Sequence, residues 1–237
     1  MTNRVAIHRL HTGIPGLDEV LGGGLPEFSF NLIGGATGTG KTTLAQQLMF
    51  ALTRPDRSAL YLTIAGEPPL KMLRYQQQFN FFDMARVSDS VRYVNLGQDV
   101  VDSGLETLLG RIVQEVDATS PRVVIVDSLS NGAHTAGPQN GNGDMQSFAK
   151  QLAVQLTIRQ ATTFLVGGYQ VSEAEHNPVF TVADGLLWLT QSLDRNSMVR
   201  KMQVMKMRGQ APIPGLHTLR ITSDGIQVFP RVVVYPW

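Results

Sequence analysis

The sequence predicts an α/β fold, a mostly parallel central sheet flanked by helices and extended toward its C-terminal end by antiparallel hairpin strands. Three observations carry that expectation. Short continuous apolar runs, of the kind a strand buried on both faces needs, alternate with helical patterns between Phe28 and Gly168. After about residue 185 the hydrophobic period becomes two. No linker, internal repeat or low-complexity tract separates the halves, so helices between strands and the later hairpins belong to one layered unit.

The elements follow in order. Phe28 to Ile33 is an apolar strand that ends in the glycine-rich GGATGTGKTT. The next helix sets Leu44, Leu48, Ala51 and Leu52 on one face, and Arg54-Pro55-Asp56 breaks it. Ala59 to Ile64 reads as a strand, and Pro68-Pro69 opens a helix because proline is tolerated in a first turn. Val91 to Asn95 is a short strand. Ser103 and Glu106 have capping-box spacing, and Leu105, Leu108, Leu109, Ile112, Val113 and Val116 continue as a helical stripe. Pro121 resets the chain before the buried strand Val123 to Val126. A Gly/Asn-rich loop, 131–143, leads to a helix with Asp144 as N-cap and Phe148, Leu152 and Leu156 inside. Thr162 to Gly168 is a further buried strand. Leu186 to Thr190, Met198 to Met207, Leu216 to Thr222 and Ile226 to Phe229 then form hairpins, one of them turned by Ser223-Asp224-Gly225.

Composition narrows the function. The 237 residues correspond to roughly 1.6 average domains, and without a linker we read residues 1–237 as one. Twenty basic against nineteen acidic residues leave a formal charge of +1, which provides no global field for nucleic acid. The absence of cysteine excludes a disulfide framework, a thiolate metal site and a catalytic cysteine. No apolar run is long enough to span a bilayer, and the N-terminus MTNRVAIHRLHTG has no apolar signal region, so a cytoplasmic protein is expected.

One motif carries chemistry outright. Gly35-Ala36-Thr37-Gly38-Thr39-Gly40-Lys41-Thr42 satisfies G-x-x-x-x-G-K-[ST] at every fixed position, between an apolar strand and an amphipathic helix. Glycines let backbone N–H groups curl around phosphates, and the following helix N-terminus adds positive potential. Lys41 is expected on the β- and γ-phosphates and the Thr42 hydroxyl on Mg²⁺, with Thr43 completing the binding stretch. Asp127, closing RVVIVD, is the acid expected to orient that magnesium.

The opening TGIPGLDEVLGGGLPEF, the loop GGATGTGKTT, the strand VVIVDSLS and the distal VMKMRG together resemble the RecA-type ATPases of the circadian-clock KaiC family, over roughly residues 9 to 230. Clock KaiC carries two such domains in tandem and this chain one, so a clock role does not follow. The resemblance implies a RecA-like P-loop fold, ATP with magnesium, and a homohexameric ring with nucleotide at subunit interfaces. It also implies adjacent glutamates after the second strand to polarise water. Here Gly66 and Glu67 occupy those places, leaving Glu67 as a base and metal-site acid, or as a helix cap beside Pro68. Of the hydroxyl pair that clock KaiC phosphorylates, only Thr181, after Phe180, remains. Gln170 stands where RecA-type proteins place a γ-phosphate sensor. Lys206 and Arg208 match the family's K-[LM]-R motif, which reaches the neighbouring subunit's ATP; as residues alone they read equally as a basic hairpin edge.

Four functions compete on this sequence. The first is a slow ATPase ring that signals nucleotide state to a protein partner. The second is an ATP-binding scaffold with little turnover, favoured by the missing glutamate. A DNA recombinase or translocase is disfavoured, because Ser130 to Asp144 and Tyr169 to Thr181 hold no Lys or Arg and the second loop carries Glu173 and Glu175. An autokinase is disfavoured by the single remaining hydroxyl.

Overall fold

Strands with no polar face must be covered on both sides, and helical crossovers supply that cover while keeping successive strands parallel. The computed structural model describes residues 6–64, 69–87, 89–128, 142–170 and 178–232. In chain order its strands are β1 (Arg9–Leu10), β2 (Leu25–Pro26), β3 (Phe30–Gly35), β4 (Ala59–Thr63), β5 (Val91–Asn95), β6 (Val123–Asp127), β7 (Thr162–Gly168), β8 (Gly185–Asp194), β9 (Ser197–Met207), β10 (His217–Thr222) and β11 (Gly225–Phe229). The helices are α1 (Leu17–Leu21), α2 (Lys41–Leu52), α3 (Pro69–Gln76), α4 (Gly97–Thr119), α5 (Asn142–Ile158) and α6 (Pro178–Val182).

Nine strands form one sheet in the order β11-β10-β9-β8-β3-β7-β6-β4-β5. From β8 to β5 the neighbours pair in parallel, and from β8 outward to β11 they pair antiparallel. This is the parallel sheet with an antiparallel extension that the sequence predicts. Alternate residues feed two cores. Tyr61, Ile125, Phe164 and Leu187 pack with α2, while Leu60, Leu62, Val126 and Leu165 pack with α4 and α5. Each such fully buried aliphatic side chain contributes about 1.5–3 kcal/mol. No helix of the described residues is long and apolar enough to cross a membrane.

Several local expectations change. Ala51 is exposed, because α2 is covered on more than one side and buries Gln46 and Gln47 along with Leu44, Leu48 and Leu52. Gln47 exchanges two hydrogen bonds with the Ile226 backbone of β11. Helix α4 begins at Gly97, but Gly104 (φ 78°, ψ −177°) breaks it one residue past Ser103, close to where the capping pattern starts a helix. Helix α5 begins at Asn142, two residues before Asp144. Strand β8 continues to Asp194 and meets β9 through a two-residue turn, Arg195 (φ 46°) and Asn196 (φ 63°). Positive φ at both positions is the hairpin geometry that matches strand twist, but arginine gives no sequence signal for it.

Candidate functional site

The site is built at the C-terminal edge of β3, β6 and β4. Gly35 pairs with Gly168 of β7 and Leu189 of β8, and the chain then turns through the loop into α2. Gly35 (φ 142°), Gly38 (φ 81°) and Gly40 (φ 103°) all have positive φ, and a Cβ on Gly35 would overlap the Leu189 carbonyl oxygen. Only glycine makes that turn this close to a neighbouring strand. Ala36, Thr37 and Gly38 are exposed, whereas Thr39 is fully buried. The Thr39 hydroxyl donates to Ala36 O (2.9 Å), so its side chain braces the loop from within. The exposed turn is braced by a residue the sequence does not single out: Gln191 Nε2, on the extended part of β8, donates to Thr37 O (3.1 Å).

Gly40, the N-cap of helix α2, offers no side-chain cap, and the helix has no acid in its first turn. Its first N–H groups therefore keep their capacity to bind an anion, and the helix dipole favours one there. Lys41 Nζ donates to Ala36 O (2.7 Å). Burial lowers the Lys41 pKa from its ordinary value, and the charge of Asp127 opposes the fall.

Strand β6 delivers Asp127 to the same place. Thr42 Oγ1 donates to Asp127 Oδ2 (3.0 Å), and the Tyr61 hydroxyl donates to the same oxygen (2.6 Å). Burial holds the Asp127 carboxyl above the usual carboxylate range, against the bonds from Tyr61 and Thr42 and the charge of Lys41. Tyr61, fully buried beside that carboxylate, is pushed well above an ordinary phenol, first by burial and then by Asp127. Thr63 is the in-register neighbour of Asp127, and its Oγ1 is buried without a hydrogen-bond partner among the described residues. One carboxylate, one hydroxyl and an unsatisfied buried oxygen suit a hard cation that keeps its waters and shares phosphate oxygens, as Mg²⁺ does.

The remaining sequence candidates fall in three places. Gln170 is exposed just beyond β7, at the edge that carries the phosphate loop. Glu67 lies outside the described residues; Ile64, three positions earlier, donates its N–H to Asp127 O (2.9 Å). Lys206 and Arg208 sit at the opposite end of the sheet. Lys206 pairs with Leu186 in register and donates to the carbonyls of Phe180 (3.4 Å) and Thr181 (3.1 Å), while Arg208 pairs with Asp184 (3.0 Å). Burial, and then the neighbouring Arg208, lower the Lys206 pKa, with Asp184 opposing. A bulge sets this orientation: Leu186 faces Lys206 but Leu187 faces Val204, so Met205 is the extra residue. The bulge shifts the alternation by one position, which buries Met207, lays half-buried Lys206 against the carbonyls of Phe180 and Thr181 and leaves Arg208 exposed.

A sequence-family model for the KaiC ATPase matches residues 10–233. The chain belongs to the KaiC ATPase family. Its fold is accordingly RecA-like, and the family is one of P-loop ATPases. A UPF0273 protein of Methanopyrus kandleri is 28% identical, over 97% of this chain and 95% of that protein. A UPF0273 protein of Thermotoga maritima is 27% identical, over 94% of this chain and 97% of its own length. The circadian clock oscillator protein KaiC of Picosynechococcus is also 27% identical, but the match covers 94% of this chain and only 45% of that relative. This KaiC-family chain thus spans under half the length of the clock protein it matches.

Proposed function

We propose that the whole chain acts as a single ATPase domain that binds Mg²⁺–ATP on the phosphate loop and hydrolyses it slowly within a homohexameric ring, signalling nucleotide state to a protein partner. The observation that supports this reading most is the uncapped, acid-free start of α2 beneath three positive-φ glycines, with Lys41 and the Thr42–Asp127 pair converging beside it. In this reading, N–H groups of Gly38 to Thr43 hold the phosphates and Lys41 leaves Ala36 O for the β/γ-oxygens. Thr42 and Asp127 would hold magnesium, the Thr42 hydroxyl as a ligand and Asp127 as acceptor from that hydroxyl and from the cation's hydration shell. Magnesium there would neutralise charge between the β- and γ-phosphates. Glu67 polarises the attacking water, and Gln170 senses the γ-phosphate.

The position of Lys206 and Arg208 at the opposite end of the sheet from the phosphate loop favours a ring. Within one chain they stand away from the loop, so the ATP they serve is that of an adjacent subunit, and nucleotide held between subunits stabilises the assembly by mass action. A second reading, an ATP-binding scaffold with negligible turnover, is favoured by Gly66 standing where the family resemblance calls for a second glutamate. Size-exclusion with light scattering, with and without Mg²⁺–ATP, and phosphate release on the same sample separate the two. A nucleotide-dependent hexamer with slow release is expected. A hexamer without release favours the scaffold, and a monomer under every condition contradicts both.

A further inference from the structure

The functional reading gives no role to Tyr61, yet this side chain touches its centre. Tyr61 is fully buried in the middle of the strand ALYLT, where phenylalanine would fill the same space with no hydroxyl to desolvate. The hydroxyl is not idle: it makes the shorter of the two bonds to Asp127 Oδ2. Both donors land on one carboxylate oxygen, and they come from different elements, Thr42 from α2 and Tyr61 from β4. A carboxylate otherwise turns freely about its last torsion, for which the energy wells are broad. Two donors on Oδ2 fix its plane and leave Oδ1 as the oxygen to accept elsewhere.

The tyrosine is itself held in place. Its ring packs on Tyr93 at a centroid distance of 5.2 Å, and the Tyr93 hydroxyl lies 3.4 Å from Gln46 Oε1. Gln46 stands four residues after Thr42, on the same face of α2, and its side chain also borders the Tyr61 hydroxyl. The helix that bears the phosphate loop is thus linked to the Asp127 carboxylate twice, directly through Thr42 and indirectly through Gln46 and the two tyrosines.

We propose that Tyr61 is a positioning residue for the magnesium site, holding the Asp127 carboxylate in the orientation that receives the hydrated cation. It acts through Asp127 and touches neither nucleotide nor metal. The inference rests on the reading in which Thr42 and Asp127 serve the magnesium of bound ATP. When the Thr42 oxygen turns its lone pairs to a cation, the bond from Tyr61 is the fixed one that keeps Oδ2 in place. Sequence alone hides this role, because a tyrosine in an apolar strand looks like core.

The test is ATP titration by calorimetry on the full chain, wild type and Tyr61→Phe, in EDTA and across a series of Mg²⁺ concentrations. For Tyr61→Phe, metal-free ATP affinity stays near wild type, while the melting temperature falls because the bond to Asp127 is already made without metal. The Mg²⁺ concentration needed for half of the affinity gain rises about tenfold, the size expected for losing a hydrogen bond to a charged group. Wild-type Mg²⁺ dependence in the variant overturns the positioning role and leaves Tyr61 as core. Equal losses with and without Mg²⁺ also overturn it, as general distortion of the loop. If wild type itself gains no affinity from Mg²⁺, the underlying reading of Thr42 and Asp127 fails first, and this inference with it.

Discussion

Subunits carrying Lys41→Ala and subunits carrying Arg208→Ala, each inactive alone, are expected to regain turnover when mixed. Gly185 pairs with Asn31 at the start of β3 and with Met207 at the end of β9, whereas the phosphate loop leaves the other end of β3 at Gly35, opposite Leu189. Arg208 lies one step beyond Met207, which puts it about 16 Å below Gly35 along the strands and about 10 Å to the side, two strand spacings away. Its guanidinium is also turned to Asp184. No rotamer carries it from there to phosphates beyond Gly35, so within one chain the loop and the arginine do not meet. In a head-to-tail ring every interface pairs the loop of one subunit with the arginine of the next. Random mixing at equal amounts then gives an intact loop facing an intact arginine at about one interface in four, and so about a quarter of wild-type turnover. The parent variants start far lower, since an arginine supplied in trans contributes about 10³- to 10⁵-fold in rate. Phosphate release is measured after co-assembly has been verified by light scattering and by pull-down of differently tagged subunits. No recovery in verified mixed rings, or full turnover by Arg208→Ala alone, would rule out an arginine supplied by the neighbouring subunit.

Three further outcomes are expected. Glu67→Gln lowers kcat by about 10²- to 10⁴-fold, the usual worth of a general base, with ATP affinity nearly intact; unchanged phosphate release would make Glu67 a helix cap. Asp127→Asn loses magnesium-dependent affinity yet melts no lower than wild type at pH 7. Burial raises the folded pKa of Asp127 above its unfolded value, so its contribution to stability is full below the unfolded value and is lost as pH rises through the folded one. A lower melting temperature than wild type at pH 7 in a scan of the apo proteins would reverse that sign. Gly35→Ala forces a Cβ onto the Leu189 carbonyl oxygen at φ 142°, and urea unfolding should show a loss of about 2 kcal/mol or more; wild-type stability would mean that the loop relaxes freely.

How legible these features are in the sequence depends on the physics behind each. The parallel strands are legible because burial on both faces leaves short apolar runs, as in Val123–Val126 and Phe164–Gly168. The loop is legible because positive φ at fixed spacing demands glycine. The short α1 and the β1–β2 pair escape notice, since a five-residue helix and two-residue strands carry no periodicity. The bulge at Met205 is invisible because it changes the phase of an alternation without changing its composition. Gln191 and Tyr61 are missed for a related reason: each acts by long-range register, Gln191 reaching back to Thr37 and Tyr61 across to Asp127. Only the strand order brings those partners together.

In the proposed function the loop from Gly35 to Thr43 holds the phosphates of ATP through backbone N–H groups and Lys41. Calorimetric titration of Mg²⁺–ATP into wild type and Lys41→Ala tests it directly. Among the described residues Lys41 donates to the Ala36 carbonyl alone, so removing it costs the fold little while deleting the cation aimed at the β/γ-phosphates. Tight binding by wild type, an unchanged melting temperature in the variant and an affinity at least about 100-fold weaker are predicted, the loss expected for one partner of a desolvated charge pair. Equal affinity in the two proteins would contradict the account.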